Sequence, residues 1–133
     1  MWARFCRTAA VAGLLACGGP EEPFAPPPEL DGGWRLESFE SVPAQSVPAG
    51  VASRNVESAL RAVYRRGTET AAVELFRMQA ASSAFELVQQ WRPVESKVAA
   101  YRGRWFFTVE CPGAGNEALS ALAGALEQSL PPS

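Results

Sequence analysis

The sequence predicts an α+β protein. The expected form is a two-layer sandwich in which an antiparallel sheet of four or five strands carries two amphipathic helices on one face, in the order β-ββ-α-ββ-α. Three observations predict it. Two pairs of alternating apolar and polar runs each pivot on a glycine, Gly67 in one and Gly103 in the other, as antiparallel hairpins do. Two other stretches, "SSAFELVQQW" and "NEALSALAGALEQSL", repeat their apolar residues every three or four positions, the helical period. Finally, about a hundred residues contain all of these elements, enough to bury a core without disulfides.

The elements follow in order. "GWRLESFE" (33–40) brings Trp34, Leu36 and Phe39 near one face and reads as a first strand or edge segment. "SVPAQSVPAGVAS" (41–53) is a proline-bearing loop. In "VESALRAVYRRGTETAAVELFRMQ", Leu60, Ala62 and Tyr64 share a face, and Val73 and Leu75 oppose Glu74, Phe76 and Met78, which predicts a hairpin turning around Arg66 to Thr68. The next helix opens on serines suited to an N-cap, with Glu86 near the third position, and runs Ala84, Leu87, Val88 and Trp91 along one stripe until Pro93 stops it. A second hairpin joins "SKVAAY" to "RWFFTVEC" through Arg102-Gly103. There Trp105, Phe107 and Val109 share one face, and Arg104, Phe106, Thr108 and Glu110 the other. Asn116 is the expected cap of the last helix, whose stripe is Leu119, Leu122, Ala123, Leu126 and Leu130.

Ahead of this domain the composition changes twice. Arg4 and Arg7 precede an apolar stretch from Ala9 to Ala16, too short to span a bilayer, which needs about 20 apolar residues. That is the layout of a cleaved secretory signal over 1–16. Leu14-Leu15-Ala16-Cys17 also resembles the lipobox of bacterial lipoproteins, in which the cysteine thiol receives diacylglycerol and the chain is cut between Ala16 and Cys17. The resemblance implies a Cys17 carrying several acyl chains, palmitate among them, and stable anchoring requires more than one such chain. "CGGPEEPFAPPPELD" (17–31) reads as an extended Pro/Gly/Glu-rich tether, with the folded domain over 32–133. The expected location is the cell envelope, facing the periplasm or exterior. Gly18 rather than Asp after the lipidated residue points to the outer membrane if the organism has two membranes.

Charge and residue types exclude much. The formal charge of −2 is uneven: residues 17–31 carry four acids and no base, whereas 32–133 balance ten Arg/Lys against ten Glu. A neutral domain has no basic face with which to displace counterions, so nucleic acid is not an expected partner. The chain contains no histidine, which removes Ser-His-Asp and Cys-His chemistry and the commonest zinc and iron sites. No catalytic residue, metal ligand or cofactor is read from it.

"VELFRMQAASSAFELVQQWRPV" followed by "VAAYRGRWFFTVE" resembles a family of uncharacterised bacterial secreted or lipid-anchored domains, over roughly 57–130. The resemblance carries no activity. It implies the same strands and helices, with no catalytic residues to transfer.

Candidate sites remain. Arg61, Arg65, Arg66, Arg102 and Arg104 lie on strands and at both hairpin turns. If the turns lie together, they offer an acidic partner bidentate contacts; otherwise they pair with Glu69, Glu74 and Glu110. The expected contact face is Arg61, Arg65, Arg102 and Arg104 with Phe106, and Phe106 and Phe76 either stand at the surface or fill the second side of the sheet. Trp34, Trp91 and Trp105 read as core. Cys111, the free thiol of the mature chain, reads as a small buried hydrophobe at a strand end. The expected function is a non-catalytic envelope module that binds a protein partner or ligand. The alternatives are a histidine-free hydrolase working through Glu69, Glu74 or Glu110, and a subunit of an envelope complex.

Overall fold

The computed structural model describes residues 24–131. The expected signal segment, the Ala16/Cys17 cleavage and lipidation site, and the tether up to residue 23 lie outside the described residues. Six strands form one antiparallel sheet: β1 (Glu29–Leu30), β2 (Trp34–Ser41), β3 (Val56–Arg66), β4 (Glu69–Met78), β5 (Lys97–Arg102) and β6 (Trp105–Glu110), in the spatial order β1-β2-β3-β4-β6-β5. Three helices accompany them among the described residues: α1 (Ala49–Ala52), α2 (Ala81–Gln89) and α3 (Asn116–Ser129). The α+β class is as the sequence predicts. Both hairpins form where expected, and Gly67 and Gly103 hold their turns at φ of 59° and 56°, the left-handed region that glycine enters without a Cβ clash.

The helices are not on one face. Trp105, Phe107 and Val109 of β6, with Val73 and Leu75 of β4, pack beneath Leu119, Leu122, Ala123 and Leu126 of α3. Phe106 of β6 and Phe76 and Met78 of β4 point the other way and pack beneath Ala84 and Leu87 of α2, together with Val51 of α1. The reason lies in "LF" (75–76) and "WFF" (105–107). Adjacent strand residues point to opposite faces, so consecutive large apolar side chains oblige the sheet to be covered on both sides. The proline-bearing loop supplies part of that cover: Val47 and Val51, four residues apart, are buried in the second core.

Two helix starts differ from expectation. Ala80 and Gly115 occupy the N-cap positions of α2 and α3 with no side-chain cap, so the serines and Asn116 lie inside the first turns. Glu117 in the first turn of α3 faces the positive end of the helix dipole. At the other end the Arg102 guanidinium donates to the Glu127 carbonyl at 3.0 Å, satisfying a terminal acceptor.

The domain begins earlier than residue 32. The Phe24 ring lies 4.8 Å from that of Trp105, the Tyr64 hydroxyl donates to the Pro27 carbonyl at 2.8 Å, the Leu36 N–H donates to Pro28, and Leu30 is buried beside Trp34. Residues 24–31, expected within the tether, are thus an edge of the fold.

Candidate functional site

The arginines do not converge. Register sets Ala72 against Glu110 and Arg77 against Trp105, so the β3–β4 turn and the β5–β6 turn stand at opposite ends of the sheet. Arg65 and Arg66 at the first turn pair with Glu37 and Glu69 at 2.9 and 2.8 Å. Arg104 at the second approaches Glu57 at 3.5 Å, and Arg102 is turned to the end of α3. Phe106 is 2% exposed beneath α2, because it fills the second side of the sheet. The expected contact face of Arg61, Arg65, Arg102, Arg104 and Phe106 is therefore not one surface. Arg61 alone among these arginines lines a depression on the face that Phe106 shares.

That depression, about 310 Å³, is lined by Arg61, Ala72, Glu74, Lys97, Thr108 and Glu110. Neighbouring strands build it: Arg61 stands opposite Glu74, Glu74 opposite Thr108, and Lys97 opposite Glu110. Glu74 is its centre. Its carboxylate receives Arg61 at 3.3 Å, the Thr108 hydroxyl at 3.3 Å and the Lys97 ammonium at 3.9 Å. Thr108 is almost fully buried, so this hydroxyl finds its acceptor inside the protein. Glu69, at the β3–β4 turn, alternates with Ala71, Val73 and Leu75 and so belongs to the face that α3 covers, not to this depression.

Next to it along β6 lies an apolar groove of about 350 Å³, lined by Pro48, Val51, Leu87, Trp91, Val94 and Phe106, with Arg92 and Gln90 also in its lining. Phe106 and Thr108 are successive residues on one face of β6, so groove and depression adjoin. Lys97 joins them: its ammonium lies 5.6 Å from the Trp91 ring while it approaches Glu74. The groove exists because α2 ends at Gln89 and α1 is a single turn, which leaves Phe106 roofed from two sides and open between them. Val94 is 52% exposed at its mouth.

Sequence reasoning read Trp91 as core and Thr108 only as a member of a strand face, and singled out neither Val51 nor Lys97. Two signals mark them: the Val47/Val51 spacing inside a loop, and a threonine standing between Phe106 and Glu110 on one strand face. Cys111 is buried as expected, 1% exposed in the core under α3. Burial, and then the nearby Glu69, push its thiol pKa up, partly opposed by Arg66. Among the described residues no group of three or more His, Cys, Asp or Glu is placed to hold a metal ion, and no helix is long and apolar enough to cross a membrane. No protein-family model, curated protein or solved structure matches the chain.

Proposed function

We propose that the chain is a lipid-anchored envelope protein whose α+β domain is a non-catalytic binding module for an amphipathic ligand. Kinship with uncharacterised bacterial secreted or lipid-anchored domains belongs to the same reading. The observation that carries the binding role is the open groove of Val51, Leu87, Trp91, Val94 and Phe106 beside a charged depression. Sites for small molecules are mostly apolar with a few placed polar groups. Here the apolar walls take the ligand's body, and Arg92 at the groove meets an anionic end. Anilinonaphthalene sulfonate, apolar with one anionic group, is a suitable probe. It is expected to bind the folded domain saturably, and Val94→Glu, at an exposed position, should abolish binding without unfolding the domain. Equal binding by the variant, or no saturable binding by the wild type, refutes the groove.

The anchor rests on Leu14-Leu15-Ala16-Cys17. Its test is metabolic fatty-acid labelling: Cys17→Ser should lose the label and leave the membrane fraction, and retained label would sink the anchor.

One observation favours a second reading, a hydrolase using carboxylates: Glu74 and Glu110 line the same depression. Such an enzyme needs one carboxyl as acid and another as base or nucleophile. Turnover of chromogenic glycosides that is lost in both Glu74→Gln and Glu110→Gln would establish it over the binding module.

A further inference from the structure

The N-terminal segment joins the fold at one end of the sheet. Phe24 packs on Trp105, the first residue after the β5–β6 turn. Seven Cα–Cα steps separate Phe24 from Cys17, a reach of at most about 25 Å. A domain of this size is roughly 34 Å across, from a radius of gyration of about 13 Å. A leash shorter than the body it holds keeps the attachment end nearest the lipid.

That end carries the residue types of a membrane interface. Tyr101, in β5, and Phe85, on α2, are 36% and 43% exposed and meet edge to face with ring centroids 5.5 Å apart. Exposed aromatic rings with a polar surround settle at the headgroup level. Arg77 and Arg104 gather at the same end around the Glu57 carboxylate, and Arg102 donates to the Glu127 backbone carbonyl. At the opposite end, the β3–β4 turn pairs Arg66 with Glu69.

We propose that the β5–β6 end of the domain lies against the bilayer surface, with Phe85 and Tyr101 among the lipid headgroups. This rests on the lipid-anchored reading, and the experiment separates the two. The full acylated protein is reconstituted into vesicles of phosphatidylethanolamine and phosphatidylglycerol. Nitroxide labels are placed at Tyr101→Cys, at Phe85→Cys as an independent second site, and at Thr68→Cys on the opposite turn; buried Cys111 stays unlabelled in the folded state. Power saturation then compares collision with oxygen, which concentrates in lipid, and with a water-soluble nickel complex. The oxygen-to-nickel ratio is expected to be severalfold higher at 101 and 85 than at 68. Equal ratios at all three positions in vesicle-bound protein, or the higher ratio at 68, overturn the orientation and leave the anchor standing. Acylated-protein preparations that fail to bind vesicles overturn both.

Discussion

Removing a single oxygen, Tyr64→Phe, tests how the N-terminal edge is held. The Tyr64 ring is fully buried between β2 and β4, and its hydroxyl donates to the Pro27 carbonyl at 2.8 Å. Phenylalanine keeps the ring and its packing but leaves that carbonyl without its donor, which costs about 1 kcal/mol near neutral pH. The alkaline limb works in the opposite direction. Burial raises the phenol well above its ordinary 10.0, so above that pH the folded state keeps a proton that the unfolded chain has lost. Stability is therefore full below the unfolded value and falls as pH rises toward the folded one. One unit above the unfolded value the loss is about 1.4 kcal/mol, which the phenylalanine variant escapes. Cys111 is common to both proteins, so its contribution cancels in the difference. Urea unfolding followed by tryptophan fluorescence should thus find the wild type more stable near neutrality, and the variant equal or more stable at about pH 11. Amide exchange at Leu36, whose N–H donates to Pro28, should quicken in the variant as the edge loosens. Identical stabilities at neutrality, with parallel decline in alkali, would refute both the hydrogen bond and the buried phenol.

Other expectations follow from single positions. Leu126→Ala empties a fully buried site between α3 and the sheet and should lower the urea-unfolding free energy by about 2–5 kcal/mol. Cys111 should resist a thiol-reactive chromogenic disulfide in the folded domain and react rapidly in denaturant; fast reaction of the native protein would contradict its burial and raised pKa. Gly67→Ala meets nothing within 4 Å but must hold φ at 59°, so it should cost about 1 kcal/mol through backbone strain alone, measured by the same unfolding curves.

Local features of this protein were legible in its residues, and relations between distant segments were not. Both hairpins follow from Gly67 and Gly103 between alternating runs, and α2 and α3 follow from their stripes, since each is decided within a dozen residues. The face each helix covers depends on topology. The chain leaves β4 through α2 to the far edge at β5, and β6 then returns between them. That same order sends the two turns to opposite ends, so arginines clustered in the sequence were separated in space. Proline content concealed the start of the domain, because "FAPPPEL" (24–30) has the composition of a spacer while Phe24, Pro26 and Leu30 pack down. The groove escaped for a related reason. Its walls come from α1, α2 and β6, and no local period brings Val51, Trp91 and Phe106 together.

The placing of β6 between β4 and β5 also sets an order of assembly. The meander β2–β3–β4 can form from neighbouring residues alone, but both faces of β4 are then bare, with Val73 and Leu75 on one side and Phe76 on the other. Full cover arrives only when the later elements join, α2 over Phe76, β6 docking against β4 and α3 closing over Val73 and Leu75. Until that moment β4 is a long, apolar, unpaired edge, the kind of surface through which chains stick to one another. β4 is thus most exposed before β6 and α3 dock, and a folding helper that shields it would act at that stage.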